Sequence, residues 1–199
     1  MKGRILLTTK ETAERIIDAA LQLISEKGYT AATTKAIAEL AEVNEVTIFR
    51  HFGNKRGILK AIIDQFSYHP VLQQAMREHA TWDLETDLLN FSLKYFDYMM
   101  SIKDFVMIGF KESMQFPEIN DEIANVPLHI KHELIHYFDE MYSRGKIREV
   151  NYEAAAMSLI AINFGLFVSR ARLGTIVSDI PAEELLKTSI AIFSRGLVS

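Results

Sequence analysis

Apolar positions recur at three- and four-residue spacing along nearly the whole chain, and no stretch sustains the two-residue alternation of a half-buried strand. Only nine glycines and four prolines interrupt 199 residues, so the breaks are few and the segments between them long. The pattern predicts an all-α fold of about nine helices. In the first, Ile16, Ala20, Leu23 and Ile24 make one apolar stripe. Thr8 followed by Glu11 forms a capping box that opens it, and Gly28 suits its C-terminal cap. A second helix is expected at 34–41, capped by Thr34 and carrying Ile37, Ala38 and Leu40. A third is expected at 44–51, capped by Asn44 and carrying Val46, Ile48, Phe49 and Phe52. Asn54 caps a fourth whose buried side is Ile58, Leu59, Ile62 and Ile63, with Pro70 ending it near His69. Further helices are expected at 83–101, 103–115, 127–144, 151–173 and 182–197. Pro117, Gly145, Gly174 and Pro181 fall in the gaps, and Pro127 falls in a first turn.

The second and third helices have about two turns each, too few to bury a core alone, so a third must pack over them. Joined through the Glu42-Val43 turn, they outline a helix-turn-helix, whose second helix lies in the DNA major groove. Double-stranded DNA is the expected partner.

Composition narrows the alternatives. Apolar residues make up 49% of the chain and charged residues 24%, as in ordinary globular proteins. With no cysteine, disulfides, thiolate zinc sites and Cys nucleophiles are excluded. The start of the chain lacks the apolar core of a signal peptide, and the longest apolar run, Ala154 to Val168, is shorter than the ~20 residues a bilayer requires. A cytoplasmic protein with no membrane partner is expected. The net charge of -4 is unevenly placed. Residues 1–60 hold ten Lys and Arg against seven Asp and Glu, and the remainder holds twelve against nineteen. The local field decides whether a surface meets phosphate, and the basic balance lies with the helix-turn-helix.

Arg15-Ile16-Ile17, Ala19-Ala20, Gly28-Tyr29, Thr33-Thr34, Ile37-Ala38, Ala41, Val43, Thr47-Ile48-Phe49, His51-Phe52 and Asn54-Lys55 together resemble the N-terminal signature of TetR-family regulators. The resemblance covers about the first quarter of the chain. It implies an all-helical homodimer in which an N-terminal DNA-binding domain, 1–54, is followed by a larger domain, 55–199, that dimerises through its last two long helices and encloses a ligand pocket. It implies a repressor released from DNA by a small molecule. With no Gly-rich phosphate loop, no Gly-x-Ser-x-Gly elbow and no paired Glu-x-x-His, neither an enzyme nor a cofactor is expected, the alternatives being a helical-bundle metal enzyme or an interaction module that has lost DNA binding. Two positions depart from the pattern. Glu42 stands where the turn usually has Gly, and Phe49 stands for a Tyr whose hydroxyl could bond phosphate.

The residues expected at DNA are Thr34, Lys35, Asn44, Glu45, Val46, Thr47, Phe49, Arg50, His51 and Lys55. Lys35, Lys55 and Arg56 open helices, where a cation opposes the helix dipole and a phosphate would reverse that cost. Glu45, Val46, Thr47 and Arg50 are expected to face outward, with Ile48 and Phe52 inward. Val46 and Thr47 can meet thymine methyls, Glu45 can accept from cytosine, and Arg50 can bond guanine or phosphate. His51 resembles a phosphate-binding histidine of the family, or simply packs beside Phe52. Lys2, Arg4 and Lys10 form a candidate arm.

Residues 66–142 hold thirteen of the twenty aromatics and six of the eight methionines. Soft, large side chains make helix core and also suit an adaptable apolar pocket. Phe66, Trp82, Phe91, Tyr95, Met99, Phe110, Met114, Tyr137, Phe138 and Met141 are the candidates to hold a hydrophobic or amphipathic effector, with Trp82, Tyr95, Tyr98 and Tyr137 as polar anchors. His129, His132 and His136 share a helical side with Glu133, but a di-iron bundle needs two Glu-x-x-His elements and the chain has one. No metal is expected. The run at 154–168 is apolar nearly all round, as a doubly buried helix is, and with Leu185, Leu186, Ile190, Ile192 and Phe193 suggests half of a four-helix dimer interface. Ala154, Ala155, Ala161 and Gly165 would let helices approach closely there.

Overall fold

The computed structural model describes residues 9–67, 80–114 and 116–198. Lys2, Arg4, Thr8, His69 and Pro70 lie outside the described residues, as does the side chain of Phe66. Among the described residues there are nine helices and no strand: α1 Thr9–Ala31, α2 Thr34–Leu40, α3 Glu45–Phe52, α4 Lys55–Ser67, α5 Leu84–Ser101, α6 Lys103–Ser113, α7 Pro117–Ser143, α8 Tyr152–Leu173 and α9 Ala182–Arg195. They divide into two compact units. One holds α1 to α4 with α6 from Asp104 and α7 as far as Ile123; the other holds α5, the rest of α7, α8 and α9.

In the first unit, Ile16, Ile37, Ile48, Ile58 and Ile62 are fully buried and come from α1 to α4 in turn. Each belongs to the apolar stripe of its own helix, so amphipathicity alone brings the four together. Gly28 leaves helical geometry at φ 82, a region that L side chains avoid, and one further turn carries α1 on to Ala31. The cap of α2 is Thr33 rather than Thr34: the Thr33 side chain accepts the Ala36 N–H at 3.1 Å. Thr34 is drawn away because its hydroxyl donates to the Glu45 carboxylate at 2.6 Å.

In the second unit, α5 packs on α8 and α9, and α8 on α9. Asp83 caps α5 by accepting the Thr86 N–H at 2.9 Å. One turn on, the buried Asp87 carboxylate accepts from the Thr81 N–H at 2.8 Å, the Thr81 hydroxyl at 2.7 Å, the Trp82 N–H at 3.0 Å and the Tyr137 hydroxyl at 2.8 Å. That set holds Trp82 at φ 61, a strained conformation for a bulky residue. Hydrogen bonds from the side chain and N–H of Thr86 keep the Asp83 carboxyl below the usual carboxylate range. Its stabilisation is therefore present above the unfolded carboxyl pKa and lost as pH falls through the lowered folded value. Asp83→Ala is expected to lower stability by about 1 kcal/mol at neutral pH. Denaturant titrations of the two proteins should converge in acid.

Two proline assignments are corrected. Pro117 lies at the start of α7 rather than in a gap, and Pro127 lies inside that helix rather than in its first turn. Proline suits a helix start because its missing N–H has no partner there anyway. At 127 it withdraws one N–H from the ladder at a cost of about 3 kcal/mol, offset by burial of Ile119 before it and of Ile130 and Leu134 after it. Helix α6 also ends at Ser113, earlier than expected.

The apolar run at 154–168 belongs to a longer helix than its own length implies. With its flanks, α8 spans 22 residues and is long and apolar enough to cross a bilayer by length and composition. One side of it, Ala155, Ala156, Leu159, Ile160, Asn163 and Phe167, is buried within the chain. Ala155 thus packs internally, whereas Ala154, Met157, Ser158, Ala161 and Gly165 are exposed and lie in one stripe. The Arg170 guanidinium fixes the loop after α8, donating to the carbonyls of Gly174 at 3.0 Å, Ser178 at 2.5 Å and Ile180.

Candidate nucleic-acid interface

The turn between α2 and α3 is a Schellman motif. The Val43 N–H bonds the Ala38 carbonyl at 3.0 Å and the Glu42 N–H bonds the Glu39 carbonyl at 3.2 Å, with Glu42 at φ 52. A glycine would occupy that conformation freely; glutamate costs about 1 kcal/mol. Arg15 of α1 secures the turn, donating to the Ala41 carbonyl and pairing with the Glu42 carboxylate at 3.4 Å. Asn44 then caps α3 as expected, its side chain accepting the Val46 N–H at 2.9 Å.

The faces of α3 are cleanly divided. Ile48 is 0% exposed, while Val46 is 70% and Phe49 49% exposed, and Arg50 is exposed beside them. Thr47 and Glu45 are half-buried, and Glu45 already accepts from Thr34. Phe52 is only half-buried rather than turned inward, because it closes the helix beside Gly53. The His51 ring lies 6.0 Å from the Phe52 ring. Lys35 stands exposed in the first turn of α2.

The two cations that open α4 differ. Lys55 donates to the Tyr29 carbonyl and lies 3.9 Å above the centre of the Tyr29 ring, so α1 holds the ammonium at the first turn of α4. Arg56, expected to wait for phosphate, turns instead to α7 and pairs with Asp121 at 3.4 Å and Glu122 at 3.3 Å. Sequence periodicity missed these acids because they lie 65 and 66 residues away. Asn54 caps α4, accepting the Gly57 N–H at 2.9 Å. Gly57 itself was not singled out from sequence. A Cβ there would stand 1.8 Å from the Phe52 carbonyl oxygen, so only glycine lets α3 and α4 meet at this corner.

The candidate effector residues fall into groups. Phe91, Tyr95 and Met99 form a buried face of α5, and Tyr137, Phe138 and Met141 are buried on α7, all in the second unit. Trp82 stacks on Tyr137 at 6.1 Å and carries the Arg144 guanidinium 3.7 Å above its ring. Burial pushes the Tyr137 hydroxyl up, as does its bond to Asp87, so this group stays protonated and donates its hydrogen bond to Asp87 throughout the physiological range. Tyr98 is likewise pushed up to about 12 by burial. Phe110 and Met114 belong to the first unit, where Phe110 is 41% and Met114 88% exposed. The buried positions near the end of α6 are Glu112 and Ser113. Among the described residues, no three His, Cys, Asp or Glu side chains gather as a metal set.

Comparison with known proteins agrees with this geometry. Residues 16–62 match the model of the bacterial regulatory proteins, tetR family. The chain is 36% identical over 188 residues to the HTH-type transcriptional regulator YvkB of Bacillus subtilis (strain 168), an alignment covering 94% of this chain and 98% of that one. Its fold resembles that of Salmonella enterica GusR, with a TM-score of 0.74 at 21% identity over 96% of this chain and 100% of that one. The fatty acid degradation regulator FadR from Bacillus halodurans superposes with a TM-score of 0.70 at 22% identity over 93% and 95% of the two chains. A likeness that runs nearly end to end, with α3 presented on its caps, means that this protein belongs to the tetR family and is a DNA-binding transcriptional regulator.

Proposed function

We propose that the protein is a homodimeric repressor that reads a two-fold operator with α3 and leaves it when a small apolar effector binds. The carrying observation is the division of α3: Ile48 buries the helix in its domain while Val46, Phe49 and Arg50 stand exposed together. Arg50 supplies base or phosphate contact, Val46 and Phe49 supply apolar contact to thymine methyls, and Lys35 and Lys55 supply phosphate contact from two helix starts. A lysine pre-positioned on a carbonyl and an aromatic ring loses less side-chain freedom on meeting a phosphate than a solvated one.

Two copies are required because one helix-turn-helix reads few base pairs, and two-fold symmetry supplies matched half-sites. The exposed small-residue stripe of α8 and the exposed Ile192 of α9 support pairing of like helices rather than membrane insertion. A regulator that binds DNA works in the cytoplasm, where the bacterial chromosome lies. For the effector, the aromatic faces of α5 and α7 supply apolar surface. Ser92 on α5 and Asn163 on α8 have buried side-chain oxygens without a partner among the described residues, available to a ligand hydroxyl or amide. Binding releases DNA only if the effector prefers the unbound conformation.

Selection of bound duplexes from a random pool tests the reading. Paired half-sites about one helical turn apart are expected. On the selected operator, Arg50→Ala is expected to cost about 1–3 kcal/mol if it bonds a base. Lys55→Ala is expected to weaken binding to all sequences and to lower the salt slope by about one. Undiminished affinity in both variants would sink the assignment.

A further inference from the structure

Glu112 lies near the end of α6, buried, and is used by nothing in the DNA reading above. Its carboxylate accepts the Tyr29 N–H at 2.9 Å, a contact between residues 83 apart. The Tyr29 carbonyl in turn accepts from the Lys55 ammonium, and the Tyr29 ring lies beneath that ammonium. The Tyr29 ring also meets Phe116 in an edge-type contact, at 5.0 Å and 64°. One residue at the end of α1 is thus held on its N–H by α6 and on its carbonyl and ring by the first turn of α4, all within a single compact unit.

The preceding residue makes this matter. Gly28, at φ 82, is the most freely rotating joint available to a backbone. Left alone, it would let the Tyr29 turn swing and carry the carbonyl away from Lys55. A buried carboxylate that takes a charge-assisted bond from the Tyr29 N–H removes that freedom. Space at the joint is matched to it, since a Cβ at Gly28 would come within 3.3 Å of Glu112 Oε1.

We infer that Glu112 is a positioning residue for DNA binding, acting through Tyr29 to hold the Lys55 ammonium where it meets phosphate. The inference rests on the phosphate role of Lys55 proposed above. It is tested on the full-length protein with operator DNA, measuring affinity against salt. Glu112→Met keeps the volume and removes the acceptor; Glu112→Gln keeps an amide oxygen that can accept the same N–H. The methionine variant is expected to bind about tenfold more weakly and to lose about one from the salt slope, as Lys55→Ala does. The glutamine variant should bind within about twofold of the parent. Adding Glu112→Met to Lys55→Ala should cost nothing more, because both remove one contact. A normal salt slope in Glu112→Met beside a reduced one in Lys55→Ala would overturn the role of Glu112 and leave that of Lys55 standing. An unchanged slope in Lys55→Ala itself would overturn both. Should Glu112→Met fail to fold, an operator affinity for Glu112→Gln well below the parent would count against the inference, and full rescue would support it.

Discussion

Gly57→Ala is expected to lower the melting temperature by roughly 5–10 °C and to weaken operator binding at least about tenfold. The added Cβ would stand 1.8 Å from the Phe52 carbonyl oxygen and 2.9 Å from its carbon. Those are backbone atoms at the end of α3, so no side-chain rotation relieves the contact. Neither is the corner free to open. Asn54 spans it, its N–H on the Phe52 carbonyl at 2.8 Å and its side chain on the Gly57 N–H at 2.9 Å. Overpacking of a tight core costs typically 1–3 kcal/mol, and a rigid backbone neighbour places this case at the upper end. Alanine regains about 1 kcal/mol of helix propensity, which is the smaller quantity. The strain is relieved only by moving α4 off α3, the helix that presents Val46, Phe49 and Arg50. Thermal denaturation and operator titration of the same preparation check both effects. A variant that melts and binds like its parent would mean that the α3–α4 corner yields without cost.

How far each of these features could be read from the sequence depends on the span over which it acts. Asn44 and Asn54 cap helices as local rules require, because a cap involves only residues two or three positions on. The positive φ of Glu42 is equally local, set by the length of the turn. The same rules point to Thr34 as the cap of α2, and the shift of that role to Thr33 goes with the bond of the Thr34 hydroxyl to Glu45, eleven residues away. Pro127 shows the opposite case, where burial on both sides outweighs a strong local signal. Beyond that range periodicity marks which face of a helix is apolar and says nothing about which element it meets. Arg15 on the α2–α3 turn, Arg56 on Asp121 and Glu122, and Glu112 on Tyr29 all span more than one helix, and none could be read from spacing. The same limit explains the effector residues. Each was a sound core candidate, yet only tertiary structure separates Phe91, Tyr95 and Phe138, which are buried, from Phe110 and Met114, which are not.

Ala161→Glu is expected to convert the protein to a monomer at micromolar concentration and to cost at least about a hundredfold in operator affinity, with helix content unchanged. Ala154, Ser158, Ala161 and Gly165 follow the spacing of one helical face on α8, and all four are exposed in the single chain. Gly165 is the most telling of them. A glycine inside a helix costs about 1 kcal/mol relative to alanine, and among the described residues nothing beyond its own helix backbone and chain neighbours lies within 4 Å of where a Cβ would be. The fold of one copy gives no reason for its smallness, whereas a second helix packed directly on that face does. Met157 beside the stripe and Ile192 on α9, 67% exposed, would supply the apolar rim of such a seam. A glutamate at 161 would put a carboxylate into that seam from each copy, and burying those charges on association costs several kcal/mol. Each separated subunit still presents α3, but the second half-site no longer adds to the affinity of the first. Sedimentation or light scattering reads the oligomeric state, circular dichroism the fold, and operator titration the consequence. If Ala161→Glu remained dimeric and bound DNA as tightly as its parent, the exposed stripe of α8 would not be the dimer seam, and the smallness of Gly165 would need another cause.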